Sequence, residues 1–130
     1  MRYVVTDLDT AEVMGSGDVP VLATPRLIEW MEASTVDAAA AFVEPGMTTV
    51  GVAIRVIHLR PTPVGGSVDV TATAPAAAIG RRLTFCVQAI DRSGAVVADG
   101  EIDRVMVDRA RFLADAFGDD THHRETFESL

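Results

Sequence analysis

The sequence predicts an α+β domain in which an antiparallel sheet covers one long helix. A segment near residues 24–46 carries both start and stop signals for a helix. After Gly46 the hydrophobic period changes to two, and four strand-like segments follow with short turns between them. Parallel neighbours would need crossovers of about a dozen residues, so these short connections favour an antiparallel meander.

The first half of the chain contributes one short strand and the helix. A strand is predicted within residues 2–13, and the loop GSGDVPV that follows interrupts any regular pattern. The helix is predicted over roughly residues 25–43, with Thr24 as its N-cap and Pro25 as its first residue. Its predicted apolar stripe consists of Leu27, Ile28, Met31, Ala38, Ala39 and Phe42.

The second half of the chain contributes the sheet. Strands are predicted over residues 48–60, 67–74, 82–91 and 96–107, followed by a short helix in DRARFLADAF and a flexible tail from about residue 118. The whole chain of residues 1–130 is predicted to form a single domain. Because long edge strands would be exposed in a monomer, we expect a homodimer, with a tetramer left open.

Composition restricts the function classes. The chain is 48% hydrophobic with a net charge of −8, and no segment gathers the cations that would neutralise a phosphate backbone, so nucleic acid is not an expected partner. The single cysteine, Cys86, lies in an apolar run and predicts a core thiol. Asp7 and Asp9 interrupt the N-terminal segment, and no apolar run would span a bilayer. We therefore expect a cytoplasmic protein with no membrane partner.

Three residues stand out chemically, and position alone leaves the role of each open. Glu32 lies at the edge of the helical stripe, where partial desolvation suits a general base, although an ordinary boundary glutamate is favoured. His58 closes an apolar row formed by Val50, Val52, Ile54 and Val56, where a structural histidine is favoured over a titrating imidazole. Gly51 interrupts a β-branched run and indicates a bulge or a close ligand.

Other polar residues give weaker signals. His122 and His123 are adjacent in the polar tail and lack the spacing of a metal site, so no metal is predicted. Arg60, Arg81 and Arg82 could contact phosphates of a ligand, although exposed turn arginines are the default.

Three segments together resemble the hot-dog fold thioesterases, and most of all the fluoroacetyl-CoA thioesterase type. They are LATPRLIEWMEAS, VGVAIRVIHLRPTPVGGSVDVTATA and GRRLTFCVQAIDRSGAVVADG, which together cover roughly residues 19–107. In that type a threonine opens the helix, a glutamate follows eight residues later, and a histidine lies 26 residues further on, ahead of a TP.G turn. Thr24, Glu32, His58 and TPVG keep those intervals here, and Gly51 matches a glycine seven residues before the histidine.

The resemblance implies an antiparallel sheet wrapped around a central helix and a thioesterase acting on acyl-CoA or an acyl carrier protein. It implies catalytic roles for Thr24, Glu32 and His58, with Thr24 holding Glu32 or the acyl group. It also implies a backbone N–H at Gly51 that polarises the thioester carbonyl. Coenzyme A (CoA) enters as part of the substrate, and its phosphates could meet Arg60, Arg81 or Arg82, with no separate cofactor.

Geometry constrains how such residues could meet. Eight helical residues rise ~12 Å, so Thr24 and Glu32 cannot touch along one continuous helix. Either Thr24 precedes the helix in a folded-back loop, or its partner lies in another subunit. Gly51 and His58 are up to ~23 Å apart in one strand. A single thioester between them would therefore need residues from two subunits, as in the dimers of this family.

One departure concerns the acyl group. The fluoroacetyl-CoA type carries phenylalanines just before the helix, whereas this chain has DVPVL at residues 18–22 and no phenylalanine before Phe42. A different, larger acyl group is therefore expected. A non-catalytic hot-dog dimer that binds acyl-CoA stays open as the alternative. A hydratase is disfavoured because the chain lacks an Asp and His pair at short spacing.

Overall fold

One long helix and five antiparallel strands form the body of the molecule, which a computed structural model describes for residues 1–118. The strands are β1 (Arg2–Val4), β2 (Met47–His58), β3 (Ser67–Thr73), β4 (Arg82–Asp91) and β5 (Val96–Asp108). The helices are α1 (Ala11–Met14), α2 (Thr24–Ala39) and α3 (Arg109–Phe117), with 3-10 turns at Asp7–Asp9 and Ala40–Phe42. The predicted α+β layout is confirmed. The predicted tail, with His122 and His123, lies outside the described residues.

Helix α2 begins one residue earlier than predicted. Ala23 is the N-cap and makes no side-chain capping bond, so the prediction of Thr24 as the cap is wrong. Thr24 is instead the first helical residue and Pro25 the second, where a missing N–H costs no intrahelical bond. The regular helix ends at Ala39, and the 3-10 turn carries the chain on to Phe42.

The core lies between α2 and one face of the sheet. Leu27 and Met31 are fully buried, and each contributes roughly 1.5–3 kcal/mol of hydrophobic free energy by the usual area argument. Trp30, which the predicted stripe omitted, is also buried and stacks on Tyr3 with ring centroids 4.4 Å apart. These side chains pack on strand residues that include Val70, Val87 and Ile102.

The order of strands differs from a simple meander. The sheet runs β1-β3-β4-β5-β2, so β3, β4 and β5 form the predicted meander but β2 pairs with β5 instead of β3. The short connection between β2 and β3 required these two strands to run in opposite directions, which they do. It did not require them to be neighbours in the sheet. Residues 59–66 therefore carry the chain across the sheet, and β2 becomes a long edge strand.

A β-bulge divides β2 into two halves. The register shifts between Gly51 and Ala53, which confirms the predicted bulge and leaves Val52 without a partner in the ladder. Beyond the bulge, Ile54 pairs with the core residue Ile102, and His58 lies on that same face. Val50 pairs with Val105 on the opposite face, so the predicted single row from Val50 to His58 is wrong.

The one cysteine also lies on the outer face. Cys86 is exposed, because it alternates with the buried residues Phe85 and Val87 along β4. The prediction of a core thiol is therefore wrong. Within residues 1–118, none of the helices is long and apolar enough to cross a bilayer.

Candidate active site

A threonine and a histidine meet where α2 begins and β2 ends. The backbone N–H groups of Leu22 and Ala23 donate to the carbonyls of Thr62 and Asp9, both at 2.8 Å, and so fix the entry to the helix. Thr24 Oγ1 then lies 2.8 Å from His58 Nδ1, within hydrogen-bonding distance. The two residues are 34 positions apart in sequence, so the fold itself creates this pair.

The environment of His58 favours a neutral imidazole. Burial lowers its pKa from the ordinary value of 6.5, and a backbone group of Arg60 offsets only part of that effect. Its other ring nitrogen, Nε2, is buried without a well-formed hydrogen bond among the described residues. A hydroxyl held against a neutral imidazole is an arrangement suited to proton transfer or to orienting an attacking group.

The Glu32 carboxylate lies against the edge strand at Gly51. A Cβ at Gly51 would lie only 2.6 Å from Glu32 Oε2, so a glycine is what lets the carboxylate approach the backbone this closely. The Glu32 side chain is 40% exposed, which agrees with its predicted place at the boundary of the helical stripe. The bulge at Gly51 therefore faces a carboxylate of the same chain.

Arg104 joins this second pair, and it was missed from the sequence. Its Nη1 lies 3.6 Å from Glu32 Oε2, and its other guanidinium nitrogens donate to Thr49 Oγ1 at 2.9 Å and to the Thr49 carbonyl at 3.1 Å. Burial lowers the pKa of Arg104, and the charge of Glu32 opposes that effect. The signal was an arginine in the strand segment IDRVMV, since a charged residue at an inward position needs partners.

The two pairs lie at different places along β2, one at its last residue and one beside the bulge. Thr24 and Glu32 are eight residues apart on one continuous helix, which corresponds to ~12 Å of rise. Thr24 and Glu32 therefore stay apart within one chain, as the rise of the helix predicts, and the Thr24 hydroxyl lies within hydrogen-bonding distance of His58. One chain therefore presents Thr24 with His58 at the end of β2 and Glu32 with Gly51 beside the bulge.

A pocket of about 340 Å³ opens beside Thr24 and His58. Its remaining walls come from α1, from the loop before α2 and from the segment after β2. They are Ala11, Ser16, Gly17, Asp18, Val19, Val21, Leu22, Leu59, Arg60 and Pro61. The predicted phosphate contact Arg60 thus borders this pocket.

The other two predicted phosphate contacts lie elsewhere. Arg82 donates to Asp103 at 2.7 Å on the outer face of the sheet, and Arg81 is exposed in the turn before β4. No group of three or more potential metal ligands occurs within residues 1–118.

A sheet packed on one long helix, with these polar residues along its edge strand, defines a thioesterase of the hot-dog fold. A family model described as the fluoroacetyl-CoA-specific thioesterase, FlK, matches residues 5–110. The chain belongs to this family. A fluoroacetyl-CoA thioesterase from Streptantibioticus cattleyicolor is 36% identical over 94 residues, which cover 72% of this chain and 66% of that protein.

Solved structures agree with this assignment. A variant of the fluoroacetyl-CoA-specific thioesterase FlK, in complex with fluoroacetate and CoA, superposes with a TM-score of 0.77 at 31% identity, covering 89% of this chain and 94% of that one. A hypothetical protein from Thermus thermophilus, a thioesterase superfamily member, gives a TM-score of 0.82 at 25% identity, covering 100% and 92% of the two chains. The predicted hot-dog fold is confirmed.

Proposed function

We propose that the protein hydrolyses acyl-CoA thioesters at a site shared between two subunits, with Thr24, Glu32 and His58 as its catalytic set. The observation that carries the proposal is the division of these residues within one chain. Thr24 lies within hydrogen-bonding distance of His58, at 2.8 Å, while Glu32 lies against Gly51, seven residues earlier in the same strand. A second copy of the chain supplies the missing half of each site.

The edge strand β2 supports such a dimer. It is 12 residues long and, within residues 1–118, pairs only with β5, so its other edge offers backbone groups to a second copy. Exposed apolar side chains lie along it, with Ile54 42% exposed and Ile57 63% exposed. Two β2 strands pairing antiparallel about an axis near Ile54 would bring Gly51 opposite the partner subunit's His58.

In this mechanism Glu32 activates the attacking group. The carboxylate takes a proton from a water molecule as the water oxygen bonds to the thioester carbonyl carbon. Alternatively, the carboxylate itself attacks, and water then opens the resulting anhydride. Both routes begin at Glu32, and both need the carboxylate ionised and held near Gly51. The Arg104 guanidinium, 3.6 Å away, forms an ion pair with the carboxylate and helps to hold it in place.

The Gly51 amide stabilises the charge that develops on the carbonyl oxygen. Oxyanion donors of this kind are typically worth ~3 to 4 kcal/mol of transition-state stabilisation. The bulge supports this role, because it interrupts the ladder at the position where the backbone must turn towards a ligand.

His58 acts on the departing group. When the carbon–sulfur bond breaks, the electron pair leaves with sulfur as the CoA thiolate, which the N–H of the neutral imidazole stabilises by a hydrogen bond. The proton that Glu32 gained from water then passes through solvent to the thiolate. Thr24 orients the ring through its contact with Nδ1.

The pocket beside His58 supports an acyl group larger than fluoroacetyl. Its apolar walls come from small and branched residues, Ala11, Val19, Val21 and Leu22. No phenylalanine contributes to the pocket among the described residues. We propose short to medium aliphatic acyl chains as substrates.

Mixing two inactive variants tests both the catalytic set and the shared site. Glu32→Ala and His58→Ala should each release no thiol from a panel of acyl-CoAs. After unfolding and refolding together, half of the dimers are mixed, and one of the two sites in each keeps both residues. About a quarter of wild-type activity should therefore return.

Other results would contradict the proposal. Wild-type rates in both single variants would remove Glu32 and His58 from the catalytic set. No recovery after mixing, with mixed dimers verified by mass spectrometry, would place each site within one chain. Tight binding of acyl-CoA without thiol release from the wild type would favour the non-catalytic dimer.

A further inference from the structure

Helix α2 begins without a capping side chain of its own, and the place of Thr24 depends on where this helix begins. The N-cap residue, Ala23, has no side-chain oxygen that could accept from the first helical N–H groups, and the first turn contains no acidic residue. That turn instead carries a cation, Arg26, at the end of the helix where the macrodipole disfavours positive charge. Another part of the molecule must therefore stabilise this turn.

Asp9, in the 3-10 turn before α1, supplies what the helix lacks. Its backbone carbonyl accepts from the N–H of Ala23 at 2.8 Å, one residue before Thr24. Its carboxylate forms an ion pair with Arg26, with Oδ1 3.0 Å from Nε, and the two side chains are only 13% and 25% exposed. Because this pair is largely removed from water, salt screens it much less than an exposed pair.

The position of Asp9 is itself fixed. Its second carboxylate oxygen, Oδ2, accepts from the Thr6 N–H at 2.8 Å and from the Thr6 hydroxyl at 2.9 Å. On the other side of Asp9, the buried Thr10 forms a β-bridge with Leu22, in the segment that leads into α2. Residues 6–10 are therefore held against the start of the helix.

Arg26 makes three contacts among the described residues, and two of them reach the turn that contains Asp9. Besides its ion pair with the Asp9 carboxylate, it donates through Nη2 to the Leu8 carbonyl at 3.4 Å. The third contact, from Nη1 to Glu29 at 3.0 Å, stays within α2 and involves a carboxylate that is 62% exposed. An exposed pair within one helix contributes little and cannot place that helix relative to another element.

We propose that Asp9 and Arg26 are positioning residues for the thioesterase reaction, which hold the first turn of α2 so that the Thr24 hydroxyl stays against His58. Thr24 lies between the two anchoring points, one residue after Ala23 and two before Arg26. A shift of the helix start would move the hydroxyl away from its 2.8 Å contact with Nδ1. These roles rest on the proposed function, in which Thr24 orients the imidazole.

Replacing the Arg26 guanidinium with a neutral, helix-forming side chain tests this role in steady-state thiol release. Arg26→Gln should lower kcat about ten-fold and leave KM within about two-fold, because a misplaced group mainly loses transition-state stabilisation. In a Thr24→Val background the same substitution should cause no further loss of kcat, since both residues act through one hydroxyl. Arg26→Lys keeps the charge and should retain most of kcat.

Glu29→Gln is the matched control, because it removes only the exposed partner of Arg26. This variant should keep kcat within about two-fold of wild type.

Nitrogen NMR of His58 gives a second readout, which does not depend on turnover. Isotope-labelled histidine is used, and the His58 resonances are assigned by their absence from the spectrum of His58→Gln. Thr24→Val should shift the Nδ1 resonance, and Arg26→Gln should reproduce part of that shift, whereas Glu29→Gln should not. Asp9→Asn, which is isosteric and removes the other charge of the pair, should shift the resonance in the same direction and replaces Arg26→Gln if that variant does not fold.

The opposite results would overturn these roles. A further loss of about ten-fold when Arg26→Gln is added to Thr24→Val would mean that the ion pair acts independently of the Thr24 hydroxyl. An Nδ1 resonance that stays at its wild-type position in Arg26→Gln and Asp9→Asn would mean that the pair only stabilises the fold. If the wild type releases no thiol from any acyl-CoA, the thioesterase proposal fails, and the NMR comparison still decides whether the pair positions Thr24 against His58.

Discussion

Replacing Gly51 with alanine tests whether the Glu32 carboxylate must lie against the edge strand. The new methyl carbon would lie 2.6 Å from Glu32 Oε2, where ordinary contacts begin near 3.4 Å. The carboxylate must therefore retreat by the difference, about 0.8 Å, away from the backbone amide. Misplacing a reacting group by about 1 Å can cost ~10²-fold in rate, so we expect kcat to fall by about that factor.

Stability should change little in this variant. Gly51 is absent from the glycines with positive φ, so its backbone conformation suits alanine. Alanine also restricts the unfolded chain, an effect worth ~0.4–1 kcal/mol in favour of folding, which opposes the cost of moving a flexible side chain. The free energy of unfolding, measured by urea titration, should therefore stay within about 1 kcal/mol of wild type.

The assay is thiol release from an acyl-CoA at saturating concentration, run beside the urea titration. Val50→Ala is the control, because Val50 pairs with Val105 and faces away from Glu32. We expect this control to lower stability and keep most of kcat. A Gly51→Ala variant that is stable and has a kcat within about two-fold of wild type would refute the placement of Glu32 as the reacting group.

Three further outcomes follow from the same contacts. Thr24→Val should lower kcat by about 10²-fold, whereas Thr24→Ser should retain most of it, because only serine keeps the hydroxyl that lies 2.8 Å from His58. Equal losses of kcat in the two variants, measured in steady-state assays, would contradict a role for this hydroxyl. Burial lowers the pKa of His58 in the folded protein below its ordinary value of 6.5, so the unfolded chain protonates this imidazole more readily. The free energy of unfolding should therefore decline as the pH falls below about 6.5. Thermal unfolding between pH 7.5 and 5 should show a flatter profile for His58→Gln. The pKa of Asp103 is lowered to about 2, chiefly by its hydrogen bond with Arg55. Asp103→Asn should therefore lower the free energy of unfolding by about 2 kcal/mol at pH 7. In urea titrations, this difference from wild type should disappear as the pH falls from about 4 to 2.

Periodicity and turn residues predicted the elements but not how they are arranged. The helix, the four main strands and the terminal helix all follow from local patterns, which short-range sterics and hydrogen bonds determine. The pairing of β2 with β5 depends on residues about 50 positions apart, and the eight-residue connection after His58 suits either neighbour. Local pattern therefore could not decide which strand is the edge.

The candidate site was predicted in part. The spacing of Thr24, Glu32 and His58 identified the residues, and the rise of the helix predicted that Thr24 and Glu32 stay apart. Which residues pair could not be inferred, because the contact between Thr24 and His58 depends on where two distant elements end. A role for Arg104 could not be inferred from local sequence, because its partners, Thr49 and Glu32, come from β2 and α2.

The bulge in β2 makes the length of this strand more critical than its composition. Residues before and after Val52 follow opposite alternation rules, so Gly51 and His58 share a face although an odd number of positions separates them. A deletion of Val52 would restore regular pairing and turn one half of the strand over, whereas substitutions at that position would leave both halves in place. Relatives that keep the site should therefore tolerate sequence drift in this strand but no insertion or deletion between the glycine and the histidine.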